Sequence, residues 1–160
     1  MTTAMTTIEV RIPTQTVEAF FDAYRRHEVD EMVDLCTPNA DFSYVPVEIW
    51  GRQRVVRGEG KVATIGKTLW TGLITSFPDL WNTVASVRAG ASVEGGSVVA
   101  VEVTIGGTQA SAWANISARG GSFAEPHLFV FRCHDGLIDG ITAYWNNASI
   151  SRQLAHLEID

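Results

Sequence analysis

The sequence predicts an α+β fold in which helices pack on the concave face of one curved antiparallel sheet. Apolar residues recur at helical spacing in the first half of the chain and alternate at strand spacing in the second half. Asp135-Gly136 lies between two apolar runs and indicates a type I′ β-hairpin, because both central residues of that turn need positive φ. A sheet that curves around helices leaves a cone with one open end, so a ligand pocket is expected there.

The first helix is expected to begin near Thr14 and to end at about Arg26. Pro13 precedes it, and Thr14 or Thr16 is the expected N-cap. An apolar stripe at i, i+3, i+4 and i+7 predicts its buried side, which consists of Val17, Phe20, Phe21 and Tyr24.

A short helix and a short strand are expected next. Residues 29–36 have helical spacing, and Pro38 follows them as a helix breaker. Residues 41–47 alternate between apolar and polar side chains, which predicts a strand with Phe42 and Tyr44 on the same face.

The middle of the chain predicts a third helix and a pair of strands. Gly95-Gly96 indicates the turn between those strands. The expected elements are a loop over 48–60, a helix over 60–76 with Leu69, Trp70 and Leu73 on its apolar side, strands over 80–90 and 96–106, and a glycine- and serine-rich segment over 106–122.

The last hairpin, over residues 126–146, is expected to form the inner wall of the pocket, and a short helix follows it. The predicted turn places Arg132 opposite Asp139, and His127 opposite Tyr144. The inward face then consists of His127, Phe129, Phe131, Cys133, Ile138, Gly140, Thr142, Tyr144 and Asn146. The outward face consists of Leu128, Val130, Ile141, Ala143 and Trp145.

A tryptophan on the outer face of a sheet is costly to leave in water. Trp145 is predicted to lie on that face, so another chain or a loop is expected to cover it. A homodimer formed through the outer sheet face is the favoured arrangement.

Composition and charge exclude several classes of partner. The chain has 160 residues, of which 46% are hydrophobic and 19% charged, and its net charge is −6. An acidic chain without a basic stripe argues against nucleic acid as a partner, and no apolar run reaches the ~18 residues of a membrane span. Residues 1–12 are expected to be flexible and without a secretory signal, and residues 13–157 to form one cytoplasmic domain.

No metal or cofactor is expected. The two cysteines, Cys36 and Cys133, have no metal or redox spacing and are expected to be small buried hydrophobes. The four histidines lack metal-ligand spacing as well. Gly66-Lys67-Thr68 is similar to part of a phosphate-binding loop, but Lys61 replaces the glycine that such a loop needs, and the stretch lies in a predicted helix.

The end of the sequence resembles the SnoaL-like polyketide cyclases. The resemblance rests on the segment HDGLI in the hairpin, the pair Tyr144-Trp145 and the closing SRQL. That family belongs to a superfamily of cone-shaped, cystatin-like folds that includes the nuclear transport factor-like and ketosteroid isomerase-like proteins. The resemblance implies a cofactor-free lyase, isomerase or cyclase that acts on a small, hydrophobic, ring-containing, oxygenated molecule.

The first half of the chain is similar in spacing to scytalone dehydratase, another member of the superfamily. The segments DAYRRHEVDEMVDLC and DFSYVP give that similarity. It implies that Tyr24 and Tyr44 help to polarise the substrate carbonyl through water, although Arg25 stands where that enzyme has an aspartate. Both tyrosines, and the five tryptophans of the chain, fit core packing at least as well.

Two positions depart from the patterns of the resembled enzymes. The cyclases have an acid/base aspartate six residues before the arginine of Arg-Gln-Leu, and this position is Asn146. Ketosteroid isomerases have a carboxylate before the proline that ends the first strand, and this position is Val45. An amide cannot exchange a proton at neutral pH, and the acidic alternatives Asp22 and Glu102 lie off the predicted inner faces.

Two functions therefore stay open, and a protein-interaction scaffold, which would have a filled cone without a cavity, is a third possibility. As an enzyme, the chain would use His127 as acid/base, with Tyr24 and Tyr44 at the carbonyl oxygen. Its substrate-binding residues would be Asn146, Tyr144, Phe20, Phe42, Trp70, Trp113 and Phe129. As a binding or accessory protein, it would keep the pocket without the catalytic carboxylates. Convergence of His127 and both tyrosines on one point of a closed pocket would favour the enzyme.

Overall fold

A computed structural model of the chain describes residues 12–47, 57–113 and 116–154. The predicted flexible N-terminus and most of the predicted loop over 48–60 lie outside these residues. In chain order the elements are α1 (Pro13–Arg25), α2 (Val29–Asp34), β1 (Cys36–Val47), β2 (Gly58–Lys61), a π-helical turn (Val62–Gly66), α3 (Lys67–Ser76), β3 (Trp81–Ala91), β4 (Ser97–Thr108), β5 (Ser122–His134), β6 (Leu137–Asn146) and α4 (Asn147–Gln153).

The strands form one six-stranded sheet in the order β2-β1-β6-β5-β4-β3. Neighbouring strands are antiparallel except β1 and β6, which run parallel. The predicted α+β class, with helices packed on a curved sheet, is confirmed, but the sheet is mixed rather than purely antiparallel. No hairpin joins β1 to β6, so no turn forces these strands into opposite directions.

α1 begins at Pro13, and the predicted threonine N-cap is wrong. Ile12 is the N-cap residue, and proline suits the first helical turn because its missing N–H would have no intrahelical partner there. The Thr16 hydroxyl donates instead to the backbone carbonyl of Gly136, at 2.8 Å. This bond ties the start of α1 to the turn of the last hairpin.

α1 packs its predicted apolar stripe against the concave face of the sheet. The ring centroids of Phe20 and Phe131 are 5.2 Å apart, and those of Phe21 and Phe129 are also 5.2 Å apart, both pairs edge to face. Trp70 of α3 packs on Phe20 with its centroid at 5.4 Å. Aromatic contacts therefore join two helices to the sheet around the wall of the cone.

Two predicted boundaries in the first half of the chain are wrong. α2 ends at Asp34, and β1 already begins at Cys36. The helix expected over 60–76 starts instead as the edge strand β2 and the π-helical turn, and regular α-helix begins only at Lys67. Pairing with β1 stabilises β2, whose glycine-rich sequence does not favour a strand by itself.

Both predicted hairpin turns are confirmed. Gly95 and Gly96 have φ angles of 92° and 71° between β3 and β4. Asp135 and Gly136 have φ angles of 51° and 79° between β5 and β6, as a type I′ turn requires.

The last hairpin contains a β-bulge that the sequence analysis did not predict. Cys133 pairs with Ile138, but Arg132 pairs with Gly140, so Asp139 is an extra residue on β6. The predicted Arg132–Asp139 pair is therefore wrong. A Cβ on Gly140 would collide with the guanidinium of Arg132, so that head group occupies space that only glycine leaves open.

One extra residue reverses the alternation of side chains, so the side chains of β6 after the bulge lie on the face opposite to the predicted one. His127 pairs with Trp145 rather than Tyr144. Trp145 is 6% exposed on the inner face, and Tyr144 is 37% exposed on the outer face. The predicted inward position of Tyr144 and outward positions of Trp145, Ile141 and Ala143 are wrong. Because Trp145 lies inward, it gives no support to a homodimer.

The hydrophobic core lies between the helices and the concave sheet face. Cys36 and Cys133 are buried free thiols, as predicted, and burial raises their pKa values to about 12 and about 11. None of the helices in the described ranges is long and apolar enough to cross a bilayer. The largest fully buried side chains include Trp70, Phe20, Phe21, Phe42, Phe77 and Phe131.

Candidate functional site

A small cavity lies between the concave sheet face and helices α1, α3 and α4. Its volume is about 30 Å³, which is room for about one water molecule. Six aromatic side chains form a large part of its wall, namely Phe42, Trp70, Trp113, Phe123, Phe129 and Trp145. Aliphatic side chains complete the wall, namely Leu69, Leu73, Ile105, Ala143 and Ile150. Tyr24 and His127 add a hydroxyl and an imidazole.

His127 extends from β5 into the cavity and is fixed by its own strand. Its Nδ1 lies 2.8 Å from the backbone carbonyl of Glu125. Since a carbonyl oxygen can only accept, Nδ1 has the proton in the neutral ring and Nε2 is left with a free lone pair. The ring also stacks on Trp145, at a centroid distance of 5.8 Å and an interplanar angle of 22°.

Burial keeps the His127 imidazole neutral. Desolvation lowers its pKa to about 4, against the smaller opposing effect of the hydrogen bond to Glu125. A part of the side-chain surface stays accessible, so His127 is half-buried rather than sealed. At neutral pH this residue presents a hydrogen-bond acceptor to the cavity.

Tyr24 brings a hydroxyl group from α1 to the same cavity. The residue is only 2% exposed, and no hydrogen-bond partner for its hydroxyl lies within the described residues. Burial raises the pKa of Tyr24, so the phenol stays protonated. A ligand oxygen that entered the cavity could therefore accept a hydrogen bond from it.

The other predicted site residues lie away from the cavity wall. The ring of Tyr44 stacks on Trp145, with centroids 5.9 Å apart, and covers Gly58. Phe20 is buried behind Trp70 in the core. The structure thus brings together His127, Tyr24, Phe42, Trp70, Trp113 and Phe129, but leaves out Tyr44 and Phe20.

Asn146 and Tyr144 do not reach the cavity either. The side-chain carbonyl of Asn146 accepts a 2.9 Å hydrogen bond from the backbone N–H of Ser149 and caps α4. Tyr144 points to the outer face because of the bulge, which corrects its predicted substrate contact. The inward tryptophan next to it, Trp145, donates from Nε1 to Oδ1 of the buried Asn147, at 3.3 Å.

Glu125 is the buried carboxylate that the sequence analysis missed. It accepts hydrogen bonds from the Ser149 hydroxyl at 2.5 Å and from Nε2 of Gln153 at 3.1 Å. These bonds hold α4, which inserts Ile150 into the cavity wall. The alternation that places His127 inward would also have placed Glu125 inward, had the strand been followed to its start at Ser122.

The two acidic residues considered from the sequence are exposed. Asp22 forms an ion pair with Arg26, at 3.0 Å, and Glu102 accepts from the Ser86 hydroxyl, at 2.6 Å. No group of three or more metal-ligating side chains occurs in the described part of the chain.

Trp113 is held in the wall by the segment between β4 and β5. Its backbone forms a bridge with Ile116, and Nε2 of the buried Gln109 donates to the Ile116 carbonyl at 2.8 Å. The sequence predicts Trp113 for the site but does not place this segment.

Comparison with protein families identifies the chain. Residues 17–141 match the model of the SnoaL-like domain. The chain therefore belongs to the SnoaL-like domain family, as the hairpin and closing motif indicated. A search of curated proteins finds no match.

Solved structures of the same fold come from several bacteria. AclR from Streptomyces galilaeus, a candidate hydroxylase, has a TM-score of 0.73 at 17% identity, over 91% of this chain and 86% of AclR. IdmH from Streptomyces antibioticus, a candidate polyketide cyclase, has a TM-score of 0.71 at 19% identity, over 91% and 99%. A candidate polyketide cyclase from Xanthomonas campestris pathovar campestris has a TM-score of 0.64 at 20% identity, over 89% and 96%. Identities this low show the shared fold alone.

Proposed function

We propose that this SnoaL-like protein is a cofactor-free acid–base catalyst of the lyase, isomerase or cyclase type. Its substrate is a small, ring-containing carbonyl compound. The observation behind the proposal is that Nε2 of His127 and the hydroxyl of Tyr24, neither of which has a hydrogen-bond partner among the described residues, line one apolar cavity. Enolisation needs such a pair, a proton acceptor for carbon and a proton donor for oxygen.

The proposed step moves one proton. His127 Nε2 removes a proton from the carbon next to the carbonyl, and the C–H electron pair becomes the C=C bond of an enolate. Tyr24 donates a hydrogen bond to the carbonyl oxygen, where the negative charge develops. The imidazolium then returns its proton to carbon or to a leaving group. The Tyr44 ring contributes indirectly, since it packs on Trp145 beside the imidazole.

A binding or accessory protein is the alternative function. One observation favours it: Asn146, where the resemblance to the polyketide cyclases implies an acid/base aspartate, caps α4. The cavity wall also has no carboxylate within the described residues. In that case His127 and Tyr24 would only orient a bound ligand.

Solvent-deuterium exchange tests the proposal. Acetophenone, a one-ring ketone with exchangeable hydrogens next to its carbonyl, is incubated with the protein in D₂O and followed by NMR. The protein is expected to accelerate exchange, and His127→Ala to slow it by about 10²–10⁴-fold. His134→Ala is the matched control, because His134 is exposed beside the hairpin turn. Equal rates for the wild type and His127→Ala would reject His127 as the base, and binding without exchange would favour the alternative.

We also propose a homodimer, on a different ground from the one that the sequence suggested. Leu128 and Tyr144 are direct cross-strand neighbours on the outer sheet face and are 39% and 37% exposed. Sedimentation velocity is expected to find a dimer that Leu128→Arg dissociates. A wild-type monomer at all concentrations would reject the dimer.

A further inference from the structure

The cavity wall is uncharged. Of the thirteen side chains that line it, Tyr24 and His127 are titratable, and neither ionises at neutral pH because burial disfavours the charged form of each. No lysine or arginine within the described residues lines the wall. A ligand carboxylate or phosphate would therefore lose its hydration there without gaining a counter-ion.

The cavity is also small. Its volume of about 30 Å³ is far below the ~150 Å³ of a cavity that accepts benzene, so a ring can enter only if wall side chains move. The sheet side of the wall, from Ile105 to Trp145, is fixed by strand pairing on both sides of β5 and β6. A ligand with several fused rings would find no further room on this side and could enter only if the α3 side were enlarged.

Two leucines on α3 are the least buried apolar side chains of the wall. Leu69 and Leu73 are half-buried, whereas every other apolar side chain of the wall is buried. They are one helical turn apart, on the same side of α3. Partial exposure means that their rotamers are less constrained by neighbours than those of Trp70, which is 1% exposed between them.

We propose that the cone accepts uncharged molecules with a single ring, and that Leu69 and Leu73 set this size limit. The proposal deepens the proposed function and rests on it for the site alone. The ligand presents an acceptor oxygen to the Tyr24 hydroxyl and an O–H or activated C–H to Nε2 of His127. Fused polycyclic compounds and carboxylates are excluded, the first by volume and the second by desolvation.

A panel of ketones tests charge and size separately. Acetophenone has one neutral ring, 4-acetylbenzoate adds a carboxylate, and anthrone has three fused rings. Binding is measured by quenching of tryptophan fluorescence. Acetophenone is expected to bind, 4-acetylbenzoate to bind at least about tenfold more weakly, and anthrone not to bind. Leu69→Ala and Leu73→Ala, each made alone, are expected to gain anthrone binding, since truncation enlarges the cavity.

Leu137→Ala is the matched control, because Leu137 is 39% exposed in the last hairpin and far from the wall. It is expected to leave the binding of all three ketones unchanged. Equal binding of acetophenone and 4-acetylbenzoate would overturn the charge rule, and anthrone binding to the wild type would overturn the size limit. Failure of every ketone to bind any variant would overturn the proposal as a whole.

The panel also separates this proposal from the proposed function. Acetophenone binding without deuterium exchange would keep the ligand class and reject the chemistry. Exchange of a three-ring ketone that the wild type binds more tightly than acetophenone would keep the chemistry and reject the ligand class.

Discussion

Nδ1 of His127 donates a 2.8 Å hydrogen bond to the backbone carbonyl of Glu125, two residues earlier on the same strand. The bond decides which nitrogen faces the cavity, because the carbonyl can only accept. Glu125 therefore has two separate tasks, since its carboxylate holds α4 through Ser149 and Gln153. The imidazole and the helix that closes the cavity are thus both positioned by one residue.

The burial of His127 predicts that stability falls in acid. Its folded pKa of about 4 lies below the ordinary value of 6.5, so between these values the unfolded chain binds a proton that the folded chain does not. The free energy of unfolding therefore gains a contribution of about 1–3 kcal/mol that is complete above about pH 6.5 and is lost as the pH falls toward 4. Urea unfolding at about pH 7 and about pH 4.5 measures it.

His127→Gln removes this titration and is expected to lose less stability than the wild type over the same pH interval. His134→Gln, in the exposed hairpin turn, is the control and is expected to behave as the wild type. Equal losses in the wild type and His127→Gln would mean that the imidazole titrates normally in the folded chain.

The hydrogen bonds from Ser149 and Gln153 of α4 to Glu125 predict that two variants of Glu125 differ in stability. Glu125→Leu leaves the Ser149 hydroxyl and the Gln153 amide without their acceptor and is expected to cost about 1–3 kcal/mol of unfolding free energy. Glu125→Gln keeps an acceptor oxygen and is expected to cost less. Urea unfolding measures both, with Glu102→Gln on the exposed face as control. A Glu125→Leu protein as stable as the wild type would show that α4 docks by its apolar side alone.

The bulge at Asp139 predicts that substitution of Trp145 destabilises the fold far more than substitution of the adjacent Tyr144. Both variants of this test are made in the Leu128→Arg background, which removes the proposed dimer contact. Tyr144→Ser is then expected to change the free energy of unfolding by only about 0.5 kcal/mol, because the residue is exposed on the outer face. Trp145→Ser is expected to cost about 3 kcal/mol or more, because it empties a buried aromatic site. The reverse order of costs would restore the bulge-free pairing that the sequence suggested.

Local signals in the sequence predict most of the fold. The turn at Asp135-Gly136 needs positive φ, and the alternation along β5 places His127 and Phe129 inward without reference to other strands. The bulge is different, because it depends on how the Arg132 head group fits over Gly140 across the hairpin. The parallel pairing of β1 with β6 likewise depends on the assembled sheet, and no turn in the sequence indicates it.

The residues of the candidate site likewise differ in whether local sequence signals predict their positions. Tyr24 and His127 are predictable from the periodicity of their own elements. Trp145 is not, since its face depends on the bulge, six positions earlier in the chain at Asp139. Leu69 and Leu73 belong to a predicted apolar helix face, but periodicity cannot distinguish a side chain that fills a core from one that borders a cavity.

The unpartnered hydroxyl of Tyr24 predicts that function and stability oppose each other at this residue. Tyr24→Phe removes a buried polar group that has no acceptor within the described residues, so the free energy of unfolding is expected to stay the same or to rise by up to about 1 kcal/mol. The same change removes the proposed donor for the substrate oxygen, and the exchange rate with acetophenone is expected to fall by about 10–10³-fold.

Tyr144→Phe is the matched control for Tyr24→Phe, because it removes an exposed hydroxyl from the outer sheet face. It is expected to leave both stability and exchange unchanged. A Tyr24→Phe protein that exchanges deuterium at the wild-type rate would remove Tyr24 from the proposed mechanism. A loss of more than about 1 kcal/mol in stability would mean that the hydroxyl has a hydrogen-bond partner in the folded chain. Only a stable protein that exchanges slowly fits a hydroxyl kept for a ligand, since packing alone would be served as well by phenylalanine.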